Sequence, residues 1–352
     1  MLDAWEGQAG AREYAFSARD VGYALNLVAA GSSYRQAAQS TRLLARRGRP
    51  GVTWGRRKPR KRQRLLDGQL VANWVDVFGP VVCFEHGVSA WPEVLVVDSV
   101  GFRQGGLLPR AFHVMVAVGY EGPYYNVPRV WLMRPFPTKH QDSWEDFFDL
   151  LAGTPRRIVA DMDAAIEQAV QARFPRRGAP APDYHWSDLH VRRRLENALS
   201  PLAQQPATHP VWQRYERSLF STFEWDSFVH AVQHEHKNGT PMPAALRWID
   251  LHGARIRAQA ANRWRKGPYS TGAAEAIIHK LRDELLGDRA KRLANRARTI
   301  KLLDLLTVGL NGHANQREFA KAIRIYLEGH QGRPQLNQRP HDDPKGSPSL
   351  FR

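Results

Sequence analysis

The chain has 352 residues, with 51 Lys and Arg against 34 Asp and Glu, and its formal net charge of +17 favours a polyanionic partner such as nucleic acid. Its length allows two or three compact domains, whereas its single cysteine, Cys83, excludes an internal disulfide and a thiolate-rich zinc site, which needs several cysteines. The chain has no apolar run of about 18 residues, so we expect no membrane span and no membrane partner. Its acidic start is unlike a signal peptide, and we therefore expect a cytoplasmic protein.

Three helices are predicted near the start of the chain. Apolar residues at helical spacing predict the first over residues 20–30, followed by Gly31 in a turn that needs a positive φ. Ser33 and Gln36 fit a capping box that opens a second helix. The apolar stripe of residues 65–78 predicts a third.

A run of basic residues separates the second and third of these helices. Residues 42–64 contain eleven Lys or Arg and no acid, and such a cluster binds nucleic acid strongly because each neutralised phosphate releases a counterion. Residues 1–80 are therefore predicted to be a DNA-binding unit like a helix-turn-helix; the alternative is a plain helical bundle packed against the rest of the chain. The residues expected to contact DNA here are Arg35, Arg42, Arg46, Arg47, Arg49, Arg56, Arg57, Lys58, Arg60, Lys61 and Arg62.

The middle of the chain has the pattern of an α/β domain. Residues 93–100, 111–120 and 127–134 are β-branched and aromatic runs with short links, which predicts three antiparallel strands. An amphipathic helix opening at Ser143 leads to a fourth strand over residues 157–160, which a crossover connection should place parallel to an earlier strand. This order is the opening arrangement of the ribonuclease H-like fold.

Two aspartates follow apolar strands in this pattern. Asp98 ends the apolar run of the first strand, and Asp161 directly follows the fourth. Neighbouring parallel strands bring such carboxyl ends together. Phosphoryl transfer on DNA uses two divalent ions about 3.5–4 Å apart, and hard ions such as Mg²⁺ prefer oxygen ligands. Asp98 and Asp161 are therefore candidate metal ligands.

The third candidate ligand is Glu275, at the border of the apolar stripe of a helix predicted over residues 270–286. Each acid has an ordinary alternative. Asp98 can begin a turn, Asp161 or its neighbour Asp163 can cap the next helix, and Glu275 can be first-turn charge favoured by the helix dipole. We interpret Asp163 as the cap and Asp161 as the ligand.

Three ordered segments carry a resemblance to a known family. VLVVDS with Asp98, IVADMDAAIEQAVQARFP with Asp161 and STGAAEAIIHKLRDELL with Glu275 resemble the DDE transposases of bacterial insertion sequences related to Mutator-like elements, over roughly residues 91–312. The resemblance implies that the three acids hold two Mg²⁺ or Mn²⁺ ions. It also implies DNA cleavage and strand transfer at transposon terminal inverted repeats and target DNA, by a nucleoid-associated homodimer or larger oligomer.

The resemblance also sets the expected domain order. The first part of an α/β ribonuclease H-like catalytic domain spans residues 91–190. An all-helical insertion over 191–266 interrupts it, and its C-terminal helices follow over 267–328. A disordered tail is expected over 329–352. Related enzymes often have Cys-x-x-His after the second aspartate; here His190 is kept and Ser187 replaces the cysteine. The further residues expected to contact DNA are His190, Arg292 and Arg298.

Two other functions fit the same residues. One is a DNA-binding protein derived from such an enzyme but no longer catalytic, and the other is a ribonuclease H-fold nuclease that cuts DNA without joining it. The geometry of Asp98, Asp161 and Glu275 is the first discriminator, because an enzyme needs their carboxylates close enough to share metal ions.

Overall fold

The computed structural model describes residues 16–47, 66–103, 111–174, 180–263, 267–293 and 295–329. The expected DNA contacts Arg49, Arg56, Arg57, Lys58, Arg60, Lys61 and Arg62 lie outside the described residues, as does the expected tail beyond residue 329. The backbone of Arg46, Arg47 and Arg292 is described, but not their side chains.

The described residues form a five-stranded sheet surrounded by helices. The strands are β1 (Val94–Arg103), β2 (Ala111–Glu121), β3 (Val127–Phe136), β4 (Arg157–Ala160) and β5 (Asp183–Trp186). The helices before and within the sheet are α1 (Ala18–Ala29), α2 (Tyr34–Arg47), α3 (Gly68–Cys83), α4 (Gln141–Phe148) and α5 (Ala164–Arg173). After the sheet come α6 (Asp188–Ala198), α7 (Pro210–Arg217), α8 (Thr222–Lys237), α9 (Pro243–Ala261), α10 (Gly272–Lys280), α11 (Arg296–Leu310) and α12 (Gln316–Gly329). No helix in these ranges is long and apolar enough to cross a membrane.

The sheet has the strand order β3-β2-β1-β4-β5. The first three strands form an antiparallel meander, and β4 lies parallel to β1, as the sequence predicts. The edge strand β5, parallel to β4, was not predicted. A mixed sheet of this order is compatible with a ribonuclease H-like fold. The fourth helix begins at Gln141 rather than Ser143, because Ser143 is buried and its hydroxyl bonds Thr138.

Each face of the sheet has its own helical layer. Successive side chains of a strand point to opposite faces, so Val96 and Val100 enter one core and Leu95 and Val97 the other. The first core contains residues of α1–α3 and α10–α12, and the second contains residues of α4 and α5. Asp98 has the parity of Val96 and Val100, so its side chain lies on the face that α10 covers.

The N-terminal helices are part of the first core. Both predicted features of their termini are confirmed: Gly31 has φ +96°, and Ser33 and Gln36 form a capping box. Helix α1 packs tightly on α11, where a Cβ on Gly309 would lie 2.0 Å from the carbonyl oxygen of Ala29. These helices thus pack against the rest of the chain, as in the plain-bundle alternative, and their DNA-binding role stays a prediction.

The described part of the insertion consists of helices, with short turns between them. Helices α6–α9 enclose a third core around Leu195, Trp225 and Phe228, all nearly inaccessible to solvent. The first of these helices, α6, starts directly after the edge strand β5. The insertion is therefore attached to the edge of the sheet at which β4 and β5 end.

Candidate functional site

Asp98 lies where the parallel part of the sheet ends. The first strand is predicted over residues 93–100, and β1 is longer: it continues to Arg103 and pairs with β2 throughout, so Asp98 lies inside the strand. Its pairing with β4, however, stops at Val96 opposite Val159. Asp98 is two residues beyond that last pair, and Asp161 is two residues beyond Val159. Both carboxylates therefore leave the sheet at the same edge and on the same face.

The pKa of Asp98 shows how enclosed this carboxyl is. The pKa of this carboxyl is raised from 3.8 to about 6, chiefly by burial, and the negative charges of Asp161 and Glu275 contribute to the rise. The hydrogen bond from the Ser99 backbone N–H, 2.7 Å long, and the nearby His190 act in the opposite direction. Asp161, Glu275 and His190 are therefore all close enough to Asp98 to act on its pKa.

His190 stands between the other two acids. Its Nδ1 lies 3.1 Å from Asp161 Oδ1, and its Nε2 lies 3.0 Å from Glu275 Oε1. A neutral imidazole carries one N–H, so only the imidazolium form donates both bonds at once. His190 comes from the first turn of α6, which explains how a residue 85 positions before Glu275 reaches it.

The neighbouring Asp163 has a different role. It occupies the N-cap position of α5, and its Oδ1 accepts a 3.0 Å hydrogen bond from the backbone N–H of Ala165. This confirms the interpretation of Asp163 as the cap. The Oδ1 of Asp161 instead accepts from the backbone N–H of Met162, at 2.6 Å, while its side chain remains 41% exposed.

Glu275 is held by buried hydroxyl groups. Thr271 Oγ1 donates to Glu275 Oε1 over 2.9 Å, and Thr271 in turn bonds Ser187. The sequence predicts that Ser270 and Thr271 cap the helix. Thr271 does occupy the N-cap of α10, but its hydroxyl makes no capping bond because it is directed to Glu275. The helix is also shorter than predicted: it passes into a π-helical turn over Leu281–Leu285.

In each of the three acids, one carboxylate oxygen accepts a hydrogen bond from a described residue and the other does not. Asp98 Oδ1, Asp161 Oδ1 and Glu275 Oε1 accept the bonds described above, whereas their second oxygens accept no hydrogen bond from any described residue. Oxygen donors of this kind suit Mg²⁺ or Mn²⁺. As they stand, however, no three Asp, Glu, His or Cys side chains of the described ranges are arranged to hold a metal ion. The three acids have the donor atoms that these ions prefer, but the ring of His190 lies between Asp161 and Glu275.

Arg193 also belongs to this site, although it is not among the residues predicted to contact DNA. It lies one turn after His190 on α6, its side chain is 56% exposed, and its Nη2 is 3.7 Å from Glu275 Oε2. Its neighbour Arg192 is engaged elsewhere, since it donates to the carbonyl of Glu216. The signal that could have found Arg193 is its helical spacing of three residues from His190.

The other described residues expected to contact DNA lie away from these acids. Arg298 forms an ion pair with Asp76 of α3, with one bond of 2.9 Å. Arg42 donates to the carbonyl of Leu66 over 2.6 Å, and Arg35 is exposed on α2. Arg298 thus connects α11 to α3, and Arg42 connects α2 to the segment before α3. Among the described residues that are predicted to contact DNA, His190 is the one that reaches the acids.

The end of the insertion is fastened next to Glu275. The aromatic ring of Tyr269 lies between two guanidinium groups, with Arg263 3.9 Å and the fully buried Arg157 5.0 Å from the ring centroid. Arg263 also donates to Asp188 at the start of α6, over 2.7 Å. Cation–π and charge-assisted bonds of this kind fix the segment that leads into α10.

Comparison with known proteins does not assign a family. No family model matches the chain, and no curated protein matches it. Among solved structures it aligns with the Drosophila P element transposase strand transfer complex, over 94% of this chain and 84% of that chain, with 12% sequence identity and a TM-score of 0.29. A likeness this weak carries no argument about the function of this chain.

Proposed function

We propose that this protein is a metal-dependent DNA transposase in which Asp98, Asp161 and Glu275 hold two Mg²⁺ or Mn²⁺ ions. The observation that supports it is convergence: acids from β1, from the end of β4 and from α10 meet around His190. Charge repulsion and desolvation make such a cluster costly, so acids gather in this way at functional sites more than elsewhere. The resemblance to DDE transposases in the order of the three acids points to the same chemistry.

The residues of the chain would divide the work as follows. When bound, the ions activate the attacking oxygen and stabilise the leaving oxygen of the phosphodiester. Asp98, which is largely buried, would hold the ions together with Asp161 and Glu275. The ring of His190 would have to turn away from Asp161 and Glu275 for these acids to do so, because it contacts one oxygen of each.

The DNA partner is proposed to be double-stranded, with transposon ends and target DNA bound by a homodimer or larger oligomer. Arg193 is the described basic residue that we propose contacts a phosphate at the site, since its exposed guanidinium is paired with Glu275 only over 3.7 Å. The basic residues between 42 and 64 would supply further phosphate contacts away from the acids.

The test of this function is cleavage and joining by the full-length protein. DNA flanking the gene, which is where terminal inverted repeats would lie, is end-labelled and incubated with the protein and Mg²⁺ beside a target plasmid. We expect cut ends and joined products from the wild type, and neither from Asp98→Asn, with DNA binding retained. Asp163→Asn is the matched control, because it removes a nearby carboxylate that caps α5. Cleavage without joined product would indicate the nuclease, and full activity of Asp98→Asn would refute the site.

The contribution of Arg193 has its own control on the same helix. Arg193→Gln and Arg194→Gln remove the same charge one residue apart, but Arg193 lies 3.7 Å from Glu275, whereas Arg194 is close enough to His252 to lower its pKa. We expect Arg193→Gln to lower the cleavage rate about tenfold or more and Arg194→Gln to change it less than twofold, because loss of a charged hydrogen bond costs about 1.5–3 kcal/mol. An equal loss of cleavage rate in the two variants would indicate that both arginines attract DNA only through their charge.

One observation favours a second function, a DNA-binding protein that does not catalyse. His190 already contacts both Asp161 and Glu275, so these two acids have a partner without a metal ion. Titration with Mn²⁺ distinguishes the two functions, since a transposase binds the ion through Asp98 and a non-catalytic protein does not bind it there. DNA binding with no Mn²⁺ binding would favour this second function.

A further inference from the structure

Two buried hydroxyl groups connect the acids. Ser187 and Thr271 are both fully inaccessible to solvent. They are 84 residues apart in the chain, yet their hydroxyl oxygens lie 3.1 Å from each other. Burying a polar group costs free energy unless it is hydrogen-bonded. The hydrogen bonds of these two hydroxyl groups therefore indicate their role.

The donors and acceptors of the pair allow one consistent arrangement. The backbone N–H of Thr271 donates to Ser187 Oγ over 3.0 Å, and the single hydroxyl proton of Thr271 is donated to Glu275 Oε1. The Ser187 hydroxyl must then donate to Thr271 Oγ1. Hydrogen bonds that run in one direction in this way polarise and strengthen one another, and this chain ends on a carboxylate.

Ser187 is also bonded to the sheet through its backbone. The backbone N–H of Ser187 donates to the carbonyl of Ala160 over 2.8 Å, and Ala160 immediately precedes Asp161. The next residue, Asp188, donates its N–H to the carbonyl of Tyr269 over 2.7 Å. Ser187 is thus fixed to the end of β4 on one side and to the segment before α10 on the other.

We infer that Ser187 and Thr271 are positioning residues that orient Glu275 toward Asp161 and Asp98. Their chain of bonds holds Oε1 of Glu275, and Oε2 lies 3.7 Å from Nη2 of Arg193. The inference rests on the proposed function, because the orientation matters for a metal ion that Glu275 shares with the aspartates. Groups that hydrogen-bond to ligands in this way typically contribute about 10–100-fold to metal affinity.

The test is Mn²⁺ binding, measured by electron paramagnetic resonance of the free ion and by calorimetry on the full-length protein. Thr271→Val keeps the shape of the side chain and removes its hydroxyl; Thr271→Ser keeps the hydroxyl and removes a methyl group. Thr299→Val is the matched control, since Thr299 is equally buried and its hydroxyl donates to the carbonyl of Asn295, away from the acids.

We expect Thr271→Val to weaken Mn²⁺ binding about tenfold or more, and Thr271→Ser and Thr299→Val to change it less than threefold. A role in packing alone predicts the reverse order, with Thr271→Ser the poorer variant. If Thr271→Val fails to fold by near-ultraviolet circular dichroism, Ser187→Ala removes the preceding donor and should weaken binding in the same direction. Wild-type affinity in a folded Thr271→Val or Ser187→Ala protein would overturn the inference.

The failure of this inference is distinguishable from failure of the proposed function. In the first case the wild type binds Mn²⁺, Asp98→Asn does not, and Thr271→Val binds like the wild type. In the second case the wild type binds no Mn²⁺, or Asp98→Asn binds it equally well, and the positioning role fails with it.

Discussion

Replacing Asp98 by Asn should make the metal-free protein more stable while abolishing its activity. The wild-type carboxylate is ionised at pH 8 in an enclosed position beside two other acids, and its pKa of about 6 compared with 3.8 in an unfolded chain expresses that cost. One pKa unit corresponds to about 1.4 kcal/mol, so the raised value amounts to about 3 kcal/mol. Asn has nearly the same shape and no charge to bury.

The sign of the effect fixes its pH dependence. A carboxyl whose folded pKa is raised stabilises the folded state below its unfolded pKa, and this contribution is lost as the pH rises through the folded value near 6. The advantage of Asp98→Asn should therefore be about 3 kcal/mol at pH 8 and only about 1 kcal/mol at pH 4.5. Above pH 7 it should no longer change.

Urea unfolding of the wild type and of Asp98→Asn in EDTA, at pH 4.5 and at pH 8, measures the difference in unfolding free energy at each pH. Asp163→Asn is the control for replacing a carboxylate by an amide near the site, and it should be close to neutral because Asn and Asp cap helices equally well. Adding Mg²⁺ should stabilise the wild type and not Asp98→Asn, since a ligand stabilises only the form that binds it. An advantage of the same size at pH 4.5 and pH 8, or a less stable Asp98→Asn at pH 8, would refute the reasoning.

Three further predictions concern the rest of the molecule. Gly309→Ala should lower the free energy of unfolding by about 2–3 kcal/mol in chemical denaturation, because its Cβ would lie 2.0 Å from a backbone oxygen of Ala29, whereas Gly329→Ala, with no atom within 4 Å, should be neutral or slightly stabilising. Arg157→Met should destabilise the protein by about 2–4 kcal/mol in the same assay, since it leaves a carboxylate partner without its buried cation; an unchanged midpoint would contradict this. Cys83, the one thiol of the chain, should react with a disulfide reagent at pH 8 at least a hundredfold faster in guanidinium than in buffer, because burial raises its pKa to about 12 and the thiolate is the reactive form.

The strands and the first two acids were predictable because their signals are local. An apolar run followed by an acid identifies Asp98 and Asp161 before any contact is known, and the parallel pairing of β1 with β4 brings them together as predicted. The extension of β1 from residue 100 to Arg103 was missed because it depends on pairing with β2, which the local sequence does not reveal. The strand β5 was missed because its four residues, partly exposed and next to a turn, show no alternation.

The contacts of Glu275 likewise include one that is predictable from local spacing and others that are not. Thr271 precedes Glu275 by four residues, the spacing at which helical side chains meet, so their bond was accessible to sequence reasoning. The contacts of Glu275 with His190 and of Thr271 with Ser187 span about 85 residues of intervening helices, and no periodicity encodes them. Amphipathic patterns likewise show that α1–α3 have apolar faces, but not that α10–α12 and the sheet share their core.

The two attachments of the insertion have a mechanical consequence. The chain enters the insertion through α6, which carries His190 in its first turn, and leaves it through Arg263, whose guanidinium stacks on Tyr269 just before Thr271. A body fastened at both ends cannot swing about a single hinge. We expect that DNA which displaces the insertion also moves His190 and Glu275 together. Distances between spin labels on α8 and α10, measured with and without DNA, would test this expectation. Any displacement of the insertion would therefore reach two sides of the candidate site at once, through His190 on α6 and through the segment that leads into α10.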